Sequence, residues 1–215
     1  MMRSLLASLA IALCGLSAGS AAQALTYDPI GVQTNVDDAT VFGSWQVLYS
    51  GLYSQSGIAL GDIYSGANDQ IMLAARQVGS DSFALLATID TSTLTGLHTA
   101  QNETVEANGA QWYANGLSMG FAGLGSAIFQ FDADILSSNG AQRLSWHTNS
   151  GASIGASYAA TEIGAGWRAG NAYFAYGGWE RFILTEIPDV PMPPALPLFL
   201  CSMSMLTMMA RRRRG

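Results

Sequence analysis

Phe129-Gln130-Phe131-Asp132-Ala133-Asp134-Ile135 sets the fold class, because apolar and polar residues alternate strictly along it. A period of two places Phe129, Phe131, Ala133 and Ile135 on one face of a strand and Gln130, Asp132 and Asp134 on the other. The stretch therefore predicts a strand with one buried and one wet side. The same alternation runs through residues 82–89, with Phe83, Leu85, Ala87 and Ile89 on one side, and around Trp45, Val47 and Tyr49. The unbroken apolar run 71–75 predicts a strand buried on both faces.

Trp112-Tyr113-Ala114, then Asn115-Gly116, then residues 117–121 predict a hairpin, since Asn-Gly adopts the positive φ angles of a type I′ turn. Residues 143–147, 173–176 and 179–187 bring the expectation to about eight strands separated by Gly, Ser and Asn clusters. The expected fold is mainly β, a single antiparallel β-sandwich, with a jelly-roll form among the options. A short helix is expected within 56–65 through Ile58, Leu60, Ile63 and Tyr64, with Gly57 and Gly61 each weakening it by about 1 kcal/mol relative to Ala.

The chain has 215 residues, long enough for one domain with a sizeable core, and no lysine. All fifteen acids lie between Asp28 and Asp189, against Arg76, Arg143, Arg168 and Arg181, a balance of −11 for that segment. Such a segment repels phosphate backbones, which excludes nucleic acid as an expected partner. Charged residues are few, at 11%, but five Trp, eight Tyr and eight Phe supply enough apolar surface to fold. Cys14 and Cys201 both fall in terminal hydrophobic segments, so the segment between them carries no thiol for a disulfide, metal or nucleophile.

Residues 1–24 read as a secretory signal peptide: Arg3, an apolar run over 5–16, small residues from Ser17, and Ala22-Gln23-Ala24 as an A-x-A cleavage site. Cleavage after Ala24 makes Leu25 the first mature residue. Leu13 before Cys14 disfavours lipidation there. Residues 25–189 form the β-rich exported domain, and 190–215 a sorting tail. In the tail, Val190-Pro191-Met192-Pro193-Pro194 reads as a stiff extended stretch, and 196–210 as a hydrophobic helix. Fifteen residues make about 22 Å of helix against a hydrocarbon core of about 30 Å. Arg211, Arg212, Arg213 and Arg214 hold that end on the cytoplasmic side. A plain tail anchor is the alternative reading.

The tail resembles the PEP-CTERM class of sorting signals in its VPLPA-CTERM variant, on Val190-Pro191-Met192-Pro193, the hydrophobic helix and the Arg cluster. Met192 stands for the usual Leu and Pro194 for Ala. The resemblance implies cutting near the motif by an exosortase, a membrane-embedded transpeptidase of Gram-negative bacteria that make extracellular polysaccharide. It also implies transient insertion in the inner membrane and a mature form at the cell surface or outside it. Within the domain, Ile30-Gly31-Val32-Gln33-Thr34-Asn35-Val36, Arg143-Leu144-Ser145-Trp146-His147-Thr148, Gly166-Trp167-Arg168-Ala169-Gly170 and Trp179-Glu180-Arg181 resemble a group of PEP-CTERM exported proteins. That likeness implies shared architecture and says nothing about catalysis.

Two histidines, His98 and His147, are too few for a typical zinc site. Asp132-x-Asp134, Asp37-Asp38 and Asn68-Asp69 offer oxygen ligands suited to calcium, without an EF-hand frame, so no cofactor is expected and calcium stays an alternative. Gly-x-Ser-x-Gly and Walker-type motifs are absent, and Gly164-x-Gly166 lacks a nucleotide-binding context. Trp146, His147, Trp167, Arg168, Trp179 and Arg181 are the candidate binding residues, an aromatic and polar platform for stacking on a sugar ring. The competing reading makes the tryptophans core and pairs Glu180 with Arg168 or Arg143. The expected function is a noncatalytic exported surface or extracellular-matrix protein, handled by signal peptidase and an exosortase and associated with extracellular polysaccharide. A lectin-like glycan-binding module is the alternative and an extracellular hydrolase, with two carboxylates across a cleft, is a third.

Overall fold

Thirteen short strands, three single-turn helices and a 3-10 turn make up the ordered elements of the computed structural model, which describes residues 26–131, 133–149 and 159–188. The signal segment 1–24, Leu25, the tail 190–215 with its motif and Arg cluster, Asp132 and Asp189 lie outside the described residues. Three antiparallel sheets form. The first runs in the order β1 (Gln33–Asp37), β5 (Ser82–Asp90), β4 (Gln70–Gln77), β13 (Trp179–Glu186), β2 (Trp45–Leu52). The second runs β12 (Ala172–Tyr173), β11 (Gly166–Ala169), β9 (Leu144–His147), β8 (Ser118–Gly123), β7 (Ala110–Ala114), β6 (Val105–Ala107). A third pairs only β3 (Ile58–Ala59) with β10 (Glu162–Ile163).

One apolar cluster draws on both large sheets: Ile71, Leu73 and Ala75 of β4, Leu85, Ala87 and Ile89 of β5 and Ile183 of β13 from the first; Trp112, Met119, Phe121, Leu144 and Trp146 from the second. The first sheet also buries its other face, where Met72, Ala74, Phe83, Leu86, Phe182 and Leu184 pack with Val41 of α1 (Asp38–Phe42) and with Trp45. Two covered faces explain why β4 reads as a continuous apolar run, since neither set of alternate residues meets water.

Several expected strands form where they were read, notably β5, β4 and β13, but other local readings are corrected. In β5, Leu85, Ala87 and Ile89 join the inner cluster while Phe83 joins the outer one, so the four do not share one side. The described residues of 129–135 form no strand, only a single bridge, Gln130 to Asp134. The expected polarity holds for Ala133, which is buried, and is otherwise inverted: Phe129 and Phe131 are 50% and 80% exposed, while Gln130 and Asp134 are buried. Asp134 is held inside by arginines distant in sequence, an attraction that periodicity does not register.

The hairpin β7–β8 exists with a different turn. Asn115 N–H donates to the Ser118 carbonyl at 3.0 Å and the Asn115 Oδ1 accepts from Leu117 N–H at 2.9 Å, so Gly116 and Leu117 form the bend. Neither Asn115 nor Gly116 has positive φ. The Asn side chain replaces the type I′ geometry by mimicking a turn of the backbone.

In β2 a bulge at Leu48 breaks the alternation, because Ile183 pairs with Tyr49 and Leu184 with Val47. Trp45 therefore joins the outer cluster and Tyr49 packs on the inner one, whereas strict period two puts them on one side. The expected helix shortens to α2 (Leu60–Tyr64), and a further single turn, α3 (Thr91–Gly96), follows β5. Residues 173–176 contribute only the end of β12 before turning.

Candidate functional site

The four arginines of the described residues are consumed inside the fold. Arg76 bridges Glu180, its cross-strand neighbour, at 3.0 Å and Asp38 at 3.2 Å, with its guanidinium 4.8 Å from the Phe182 ring centre. Glu180 thus pairs with Arg76 and not with Arg168 or Arg143. Those two converge on the outer face of the second sheet, where Asp134 lies 2.6 Å from Arg143 and 3.9 Å from Arg168, all three buried.

The segment after β8 is tied down by this cluster. Arg143 donates to the Ser138 carbonyl at 2.6 Å and the Ala127 carbonyl at 3.0 Å; Arg168 donates to the carbonyls of Gly170, at 2.8 Å, and Leu136. The Tyr173 ring lies 4.5 Å from the Arg168 guanidinium. Burial pushes Arg168 below its ordinary arginine value, and the same environment pushes the Tyr113 phenol up. Arg181 is buried between the Tyr53 and Trp146 rings, at 5.8 Å and 5.5 Å, donating to the Gly164 and Gln55 carbonyls. Burial lowers it too.

The six residues of the expected platform therefore separate. Trp146, Arg168 and Arg181 are interior, and Trp179 is half-buried against the inner cluster. His147 and Trp167 stay together, ring centres 5.9 Å apart, and a chain of two residues not anticipated as site residues continues from Trp167, Tyr176 touching Phe174. Phe174 stands edge-on to Trp167 at 4.5 Å, and Tyr176 follows at 6.1 Å. Phe174 is 59% exposed and Tyr176 38%.

Local backbone explains the ridge. Gly166 pairs with Trp146 while Arg168 pairs with Ser145, so Trp167 is the extra residue of a β-bulge, turned out of the regular ladder. Phe174 has φ +53°, a left-handed conformation uncommon for a bulky side chain. Its N–H donates to the Trp167 carbonyl at 2.7 Å and its carbonyl accepts from Tyr176 N–H at 2.7 Å. The signal available in sequence was Tyr173-Phe174-Ala175-Tyr176 running into Gly177-Gly178, whose even scatter of aromatics looks like a strand.

The oxygen-rich pairs go elsewhere. Asp134 serves the arginines, Asp38 serves Arg76, and the Asn68 side chain donates to the Glu186 carbonyl at 2.8 Å. Among the described residues, no three His, Cys, Asp or Glu side chains gather as a metal site would need, and no helix is long and apolar enough to cross a membrane. Comparison with protein-family models, with curated proteins and with solved structures found no match.

Proposed function

We propose that this chain is a noncatalytic exported surface or extracellular-matrix protein, carried across the inner membrane by residues 1–24 and sorted through 190–215 by an exosortase-type transpeptidase. The observation that carries it is the pair of terminal segments: an A-x-A signal ending at Ala24, and a Pro motif, hydrophobic run and Arg cluster in that order. The use of charge supports a noncatalytic role, because the arginines described are taken up by internal partners. Cell fractionation tests it: the protein belongs in envelope or extracellular fractions, and a full-length soluble cytoplasmic form overturns the proposal.

The two large sheets facing across a common core we read as one β-sandwich. The consecutive order of β6 to β9 in the second sheet favours a meander form over a jelly roll. A second reading, a glycan-binding module, is favoured by the ridge in which exposed Phe174 and Tyr176 continue from half-buried Trp167. Aromatic faces pack on the C–H faces of sugar rings while the hydroxyls stay hydrated. Trp167→Ala is expected to abolish retention on polysaccharide with the fold intact; unchanged retention rules this reading out.

A further inference from the structure

Phe174 combines three properties that packing alone does not explain. Its backbone is held at φ +53°, its ring is largely exposed, and that ring meets Trp167 edge-on at 4.5 Å and Tyr176 at a tilt at 6.1 Å. A strained conformation at a largely exposed aromatic gains the fold little burial, and such positions cluster at binding sites. Glycine or asparagine would occupy the same φ with less cost.

Electrostatics limits what the ridge can hold. Among the described residues, Arg143, Arg168 and Arg181 are buried, and Arg76, 18% exposed, is engaged by two carboxylates. Asp62, Asp81, Glu103 and Glu106 are exposed, as are Asp28 and Asp90. These acids are spread over the domain, whose balance over residues 25–189 is −11, so a polyanion approaching it meets repulsion, and among the described residues no accessible Arg or Lys offsets it.

Resting on the glycan-binding reading above, we propose that the Trp167–Phe174–Tyr176 ridge binds an uncharged polysaccharide and rejects anionic ones. Selection comes from two sources: the stacked rings supply attraction indifferent to charge, and the acidic surface supplies the rejection. Phe174 holds its ring on the ridge at the expense of local backbone ease.

Native affinity electrophoresis of the purified full-length chain tests this, in gels containing hydroxyethyl cellulose, dextran or alginate. Retardation by at least one of the two uncharged polymers and none by alginate is expected. Phe174→Gly should weaken that retardation about tenfold, a loss of one stacked ring, while its melting temperature stays equal to or above the parent's. Retardation by alginate as strong as by the uncharged polymers overturns the selectivity and leaves glycan binding standing. No retardation by any polymer overturns glycan binding itself. Full retardation of Phe174→Gly removes the ridge as the site.

Discussion

Asp134 shows how one side chain overrides a pattern. Its backbone N–H donates to Ser145 Oγ at 3.2 Å, its Oδ1 accepts from Leu136 N–H at 3.1 Å, and its Oδ2 faces Arg143. With every acceptor used, a carboxylate can remain charged in the interior, and removing that charge leaves two buried guanidiniums opposed to each other. Asp134→Asn is therefore expected to destabilise the protein by about 3–5 kcal/mol, seen as a lowered denaturation midpoint. A change below about 1 kcal/mol would mean that the arginines find compensation elsewhere. Phe129 and Phe131, on either side of the buried Gln130, face water, while Ala133 is buried next to Asp134, so the segment follows the arginine contacts and not a period of two.

At the scale of elements, the pairing of β8 with β9 depends on one residue without a side chain. A Cβ built on Gly120 would collide with the Leu144 carbonyl, a backbone atom already committed to the sheet, and with the Tyr113 hydroxyl at 2.8 Å. Gly120→Ala is expected to cost about 3 kcal/mol, more than ordinary overpacking at a flexible neighbour, because the obstacle cannot rotate away. Hydrogen exchange should localise the loss to β8 and β9; uniform exchange across the sheet would contradict this account. Long, largely apolar strands such as β4 and β5 were legible in position because their own residues carry the signal, though not in which way Phe83 of β5 faces. The bulges at Leu48 and Trp167 were not, since each is imposed by the register of a partner strand.

Across the whole molecule, the acids outnumber the bases of residues 25–189 by eleven, while both the signal segment and the tail carry arginines. That separation fits a chain whose ends are removed and whose acidic part is delivered outside. Mass spectrometry of the fractionated protein should find Leu25 at the mature N-terminus and a C-terminus near Pro191. An intact 211–214 Arg cluster on the mature protein would oppose sorting through the tail. Length, charge, the lack of thiols between the terminal hydrophobic segments and the predominance of β structure were all readable along the chain, because each is a property of residues in sequence order. Which aromatic and charged side chains face outward was decided only by tertiary structure. Of six platform candidates, Trp146, Arg168 and Arg181 went inside, as burial and ion pairing with residues far along the chain dictated. Phe174 and Tyr176 came to lie exposed alongside half-buried Trp167 because a bulge and a left-handed turn brought them there.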